Sequence, residues 1–375
     1  MGFGLFVPEF RSEFSMSAAS AGLVSSLGFA GFFAGLLVAQ LLLNRRGPEH
    51  PVLAGLAAAT LGLGLVAIAP NVPILAAGVF LAATSAGFAW TPFNDAVHRK
   101  VRDRDRASAL SVISTGTSVG IALAGVVALG MVFFGFGWRI CWGVFAAASI
   151  VALAINWAAL RQVEKAPDDP PEAVWRDLLQ PVALPLFGVA FIFGITSAIY
   201  ISFAADRFAE DGLPGLPQGT APALVFIFYG LFGLTGLATD RLRDRIGLTW
   251  LVRLLMLAGA GSLAAAAFMP DHLGGLATSA GLQGIHVMMT SAVLAFWSES
   301  LFPAFPSLSF TAALLAVAAG CVIGPALAGL AVGSLGPQVM FYAAAVLPLV
   351  AMVFIRARFM VERQSDTTGS IEVGA

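Results

Sequence analysis

The sequence predicts an all-α, polytopic membrane protein made of two pseudo-symmetric six-helix bundles, with helix 1 truncated at its N-terminal side. Three observations lead there. The 375-residue chain is 58% hydrophobic and 11% charged, with mean hydropathy +0.88; water-soluble domains carry about 25% charged residues. Apolar runs long enough to cross a hydrocarbon core of roughly 30 Å recur along the whole chain. A glycine pattern in the first half returns in the second.

The opening stretch, MGFGLFVPEF, has neither the basic n-region nor the small-residue cleavage site of a secretory signal. It is long enough for only about half a membrane helix. Full spans are predicted near 18–43, 50–69, 72–97, 108–134, 138–160, 181–204, 220–239, 248–269, 274–298, 306–333 and 337–356, eleven in all. The connections between them alternate in charge. One set holds seventeen of the twenty Lys and Arg, including Arg45, Arg46, Arg241 and Arg245; the other holds only Arg11, Arg139 and Arg207. Cytoplasmic loops concentrate positive charge. The first set is therefore expected in the cytoplasm together with the C-terminus, as in an integral protein of the cell (inner) membrane. With a net charge of −1 nothing favours nucleic acid. Cys141 and Cys321 lie inside apolar runs and read as small buried residues.

Residues 161–180, RQVEKAPDDPPEAVWRDLLQ, form the longest polar interruption before the tail and divide the chain. A short surface helix over 170–179 is expected, capped by Asp169, with Trp175 at the membrane interface. The expected organisation is an N-terminal bundle over 1–160, a cytoplasmic linker over 161–180, a C-terminal bundle over 181–360 and a disordered tail over 361–375.

The repeat is carried by specific residues. Gly116, Gly120 and Gly125 recur as Gly320, Gly324 and Gly329 at a constant offset of 204. Each set is read as a small-residue stripe that lets helices approach closely. The same offset takes Asp95 to Glu299, and an offset of 200 takes Gln40, Asn44, Arg45 and Gly47 to Asp240, Asp244, Arg245 and Gly247. By this shift, the start of helix 1 would fall about twenty residues ahead of Met1. About twenty mostly apolar residues are thus expected upstream in frame, the other reading being a true eleven-helix chain with a re-entrant stub.

Two parallel halves of six helices are the plan of one large transporter class. The run Gly236-Leu-Ala-Thr-Asp240-Arg241, followed by Arg245 and Gly247, resembles the signature loop of the major facilitator superfamily. The Gly320–Gly329 segment with Pro325 resembles that family's Gly-Pro motif. The first-half loop departs from the pattern at Gln40, where the motif has Asp. The position near Val79, basic in many proton-coupled drug exporters, is apolar.

The resemblance implies that the first, fourth, seventh and tenth helices line a central path. Their polar and aromatic residues are the candidates for substrate contact: Phe3, Phe6, Ser85, Trp90, Thr91, Thr196, Ser197, Tyr200, Gln283, His286, Met288, Met289 and Thr290. Gln283 and His286 lie three apart and share a helix face. Ionisable residues in a membrane are costly and usually functional; His286 reads equally as a substrate or proton site and as a histidine bonded to a neighbouring helix. Glu9 reads as solvated at the outer end of helix 1. Asp95 and Glu299, near Arg45 and near Arg241 and Arg245 respectively, read with Asp240 as gating residues.

No Lys or Arg lies mid-membrane on these helices, which disfavours multivalent anions. The implied function is secondary active transport of a small neutral or amphipathic organic molecule by alternating access, with protons a candidate coupling ion. The protein would be a lipid-embedded monomer needing no cofactor or metal. No phosphate-binding GxxxxGK[ST] loop and no clustered His, Cys or acidic site occurs, so an enzyme is not expected. The alternative is a transporter-like membrane sensor or an inactive truncated transporter.

Overall fold

The structure, a computed structural model, describes residues 2–160, 178, 180–210, 212–302 and 306–355. Two short helices, α1 (Gly2–Leu5) and α2 (Val7–Glu13), come first. Then follow α3 (Ala18–Arg46), α4 (Glu49–Ala67), α5 (Val72–Lys100), α6 (Asp103–Phe134), α7 (Trp138–Leu160), α8 (Leu184–Glu210), α9 (Thr220–Gly233), α10 (Thr239–Ile246), α11 (Leu248–Phe268), α12 (Leu273–Leu301), α13 (Pro306–Leu335) and α14 (Pro337–Phe354). No strand occurs among the described residues. Among the described residues ten helical segments, with Thr220–Ile246 taken as one, are long and apolar enough to cross a membrane, and α14 is a shorter apolar helix. The linker helix expected over 170–179 and the tail fall outside the described residues, apart from Leu178.

Side-chain caps mark where three helices begin. The backbone N–H groups of Ser20, Ile74 and Gly275 donate to Ser17 Oγ (3.1 Å), Asn71 Oδ1 (3.1 Å) and His272 Nδ1 (3.0 Å). Each cap satisfies an orphan donor and contributes about 1 kcal/mol. These turns share one end of the molecule with Arg11, here called the Arg11 end; the turns at Gly47, Val101 and Gly247 share the other, the Arg245 end.

The expected span 220–239 is interrupted. The α-helix stops at Gly233, a 3₁₀ segment runs over Leu234–Ala238, and the charged motif is itself the helix α10. Gly233 and Gly236 weaken the α-helix. Asp240 in the first turn of α10 and Arg243 and Arg245 in its last suit the helix dipole.

Packing repeats across the two halves. In the first, α3 packs on α5, and α4 on both α5 and α7. In the second, α9 packs on α12, and α11 on both α12 and α14. The halves meet along two repeat-related seams, α3 on α13 and α6 on α9, and α1 and α2 lean on α8. Glycine lets these backbones touch. A Cβ on Gly329 would lie 2.6 Å from Ala18 O across one seam, and one on Gly125 2.7 Å from Ala223 O across the other.

The glycine stripes differ from expectation in one respect. Gly320 and Gly324 pack on the α8 backbone at Phe191 and Ile195, but nothing among the described residues stands within 4 Å of a Cβ on Gly116 or Gly120. Large apolar side chains such as Leu61, Ile155, Leu330 and Val353 are exposed around the outside, as a lipid-facing belt requires. Cys141 and Cys321 are buried and free.

Candidate functional site

The α12 polar stripe comprises Ser279, Gln283, His286 and Thr290, each at most 1% exposed. Helical spacing puts them on one face. At one end Ser279 Oγ donates to Ser262 O (2.8 Å) and lies 3.2 Å from Tyr200 Oη, while Ser262 Oγ returns a bond to Ser279 O (2.7 Å). At the other end His286 Nδ1–H donates to Leu255 O (2.7 Å), and Thr290 Oγ1 lies 3.5 Å from the same nitrogen. The carbonyl acceptor fixes the tautomer and leaves Nε2 as an acceptor. That nitrogen has no partner among the described residues and faces Gly259. The imidazole stands edge-on to Phe193, with ring centroids 5.2 Å apart.

Gln283 lies between these anchored ends. Both its Oε1 and its Nε2 are buried with no hydrogen-bond partner among the described residues. Such groups ordinarily cost about 1–3 kcal/mol each. One turn before it Ser279 meets Tyr200, whose ring stacks on that of Tyr229 at 6.4 Å, and at the next residue, Gly284, α12 meets the Tyr229 backbone.

The other expected substrate residues are dispersed. Thr196 is buried, and its hydroxyl bonds back to Ile192 O (3.0 Å). Met289 is buried. Trp90 packs with Phe32, Phe33 and Phe310 around Leu36 and Leu314, on the Arg245 side of the α3–α13 seam. Phe3 and Phe6 join an aromatic cluster with Phe10, Trp138 and Trp142. The side chain of Thr91 lies outside the described residues, as do those of Asp95 and Arg46.

At the Arg245 end Arg243 is the organising cation. It pairs with Asp240 (3.3 Å) and Asp244 (3.0 Å), and its guanidinium sits 4.7 Å from the Phe296 ring on α12. Arg243 was not among the expected gating residues, although its place three residues after Asp240 carries a helical pairing signal. Arg45, Arg241, Arg245 and Glu299 are exposed, and none of the four makes an ion pair among the described residues.

Contacts at the Arg11 end were not legible in the sequence. Arg11 on α2 pairs with Asp206 on α8, across the two halves. Ser25 and Ser202 hydroxyls meet at 2.5 Å beside them. Glu13 accepts from Trp138 Nε1 (2.6 Å) and Arg139 (2.5 Å), and Arg139 also donates to Ala69 O (2.8 Å). Burial pushes the Glu13 carboxyl up, but these bonds and the Arg139 charge outweigh it and hold it below its ordinary value of 4.5. Glu9 is not the solvated residue expected: the residue is half-buried, and its Oε2 is enclosed with no partner among the described residues, on the wall of a cavity shared with α6 and α9.

Two repeat-related helical bundles in lipid, closed together at the Arg11 end over buried polar side chains, define a class: the polytopic membrane transporters. A model of the Major Facilitator Superfamily matches residues 1–270, and the chain belongs to that family. No curated protein matches the sequence. Among solved structures, a bacterial homolog of the human lysosomal transporter Spinster, inward-facing and unoccupied, superposes with a TM-score of 0.73 at 17% identity, covering 97% of this chain and 95% of that one. A mutant of the nucleoside transporter NupG gives 0.72 at 16% identity, covering 96% and 95%. At such identities the likeness is one of fold.

Proposed function

We propose that this chain is a secondary active transporter that moves a small neutral or amphipathic organic molecule by alternating access between its two bundles. The observation that carries this reading is the orphaned Gln283 amide. A donor and an acceptor held side by side in an apolar interior are costly unless a ligand satisfies them. Tyr200, Thr196, Met289, Trp90 and Thr91 complete the proposed path. Nucleosides, carried by one protein of the same fold, are neutral hydrogen-bonding molecules and a first class to screen. Ligand-induced thermal shifts on the purified chain, followed by counterflow of the labelled hit in proteoliposomes, test the reading. A hit that shifts the melting temperature but gives no counterflow supports the sensor alternative.

His286 takes a positioning role in this proposal, because Leu255 and Gly259 hold its ring against α11. We expect His286→Gln to weaken substrate binding by a few-fold to about tenfold, the worth of one hydrogen bond. The dependence of affinity on pH between about 5 and 8, where a free histidine titrates, should be unchanged. Loss of that dependence in the variant would make His286 the proton site instead.

The Arg245 end is proposed as the cytoplasmic gate of a monomer in the inner membrane. Arg241 and Arg245 would meet Glu299 when this end closes, and Arg45 would meet Asp95. Since Gln40 stands where the motif has Asp, Glu299→Gln should slow transport more than Asp95→Asn. The opposite ranking would count against an asymmetric latch.

A further inference from the structure

Apart from the α12 stripe, a cavity of about 160 Å³ opens at the Arg11 end between α1, α2, α6, α9 and the turn into α7. Its walls include Phe6, Met131, Phe136, Trp138 and Pro222, and the one charged group among its lining residues is Glu9. Phe136, 53% exposed, and Gly137 form its rim. The enclosed Oε2 of Glu9 has no hydrogen-bond partner among the described residues. Arg11, the nearby cation, is committed to Asp206 and to Met16 O (3.4 Å). Glu9 is half-buried, and a carboxylate with one oxygen enclosed and no counter-charge is costly, so the site suits a positive charge.

The walls say which kind. Calcium and magnesium ions require six or more oxygen ligands, or a shell of retained water, and zinc takes about four Cys, His or carboxylate ligands; this cavity offers one carboxylate among apolar and aromatic side chains. A cavity of about 150 Å³ holds a benzene-sized body. Aromatic rings also attract cations; one face of Trp138 is taken by Arg139 at 4.2 Å, but Phe6 and Phe136 remain. We propose that this cavity is a second binding site, specific for a small primary amine with a benzene-sized apolar body, whose ammonium pairs with Glu9. Because α6 and α9 belong to different bundles, the bound amine bridges them and holds the Arg11 end closed.

The test is equilibrium dialysis of radiolabelled benzylamine against the purified full chain at neutral pH, with benzyl alcohol as the uncharged comparator. Saturable amine binding is expected, at least tenfold tighter than the alcohol. Glu9→Gln should weaken the amine at least tenfold and leave the alcohol unchanged. Ala128→Leu, which fills the cavity and keeps the charge, should abolish amine binding and decides the matter if Glu9→Gln misfolds. Equal affinity for amine and alcohol, or an undiminished amine affinity in either folded variant, overturns the proposal. So does amine binding that survives Glu9→Gln but is lost in Gln283→Ala, which would put the amine in the central path. A transporter without this site would still give counterflow, so the two readings fail separately.

Discussion

Gln283→Met is expected to lower substrate affinity by about ten- to a hundredfold while leaving the ligand-free protein as stable as the parent or more so. The first effect follows from the roughly 1–3 kcal/mol that separates a satisfied buried polar group from an orphaned one. The second follows because methionine fills a similar volume and removes the two unpartnered atoms. A purely structural Gln283 predicts the reverse, lower stability with affinity kept. Thermal unfolding with and without the screened ligand measures both, and unchanged affinity in a folded variant would remove Gln283 from the site.

Asp206→Asn should release the Arg11 end. Arg11 and Asp206 are 28% and 13% exposed, and they tie α2 to α8. Breaking a buried pair costs about 3–5 kcal/mol; discounted for the partial exposure here, about 2–3 kcal/mol is expected. That would shift the balance between closed and open forms by roughly thirty- to a hundred-and-fifty-fold. Charge exchange, Arg11→Asp with Asp206→Arg, should recover much of the loss. Equal behaviour of Asp206→Asn and the exchanged pair would show that the interaction holds nothing shut.

The architecture was legible because a hydrocarbon core demands about twenty apolar residues per helix, and lengths such as Glu49–Ala67 and Leu248–Phe268 follow from it. The repeat was legible in the residues that bring backbones together, Gly125 and Gly329 among them. At Gly116 and Gly120 no neighbour stands within contact distance among the described residues. The 3₁₀ segment after Gly233 and the helical state of the Asp240–Ile246 motif were hidden, since a charged run next to glycine reads as a loop until α12 offers Phe296 to Arg243. Of the candidate site, the shared face of Gln283 and His286 could be read from their spacing. The bond from His286 to Leu255 could not, because a backbone carbonyl on α11 leaves no trace in the side-chain pattern. Nor could Arg11 and Asp206 be paired, being 195 residues apart and unrelated by the repeat.

Alternating access requires the closed Arg11 end to be one of two positions of the same bundles. Spin labels at Ser12→Cys on α2 and Leu335→Cys at the end of α13, both exposed positions in different bundles, report the gap; the native Cys141 and Cys321 are buried and stay unlabelled. Pulsed electron paramagnetic resonance should give a short distance dominating in the parent and a second, longer one growing in Asp206→Asn. A single short distance in both, unchanged by any ligand found in the screen, would contradict alternating access in this protein.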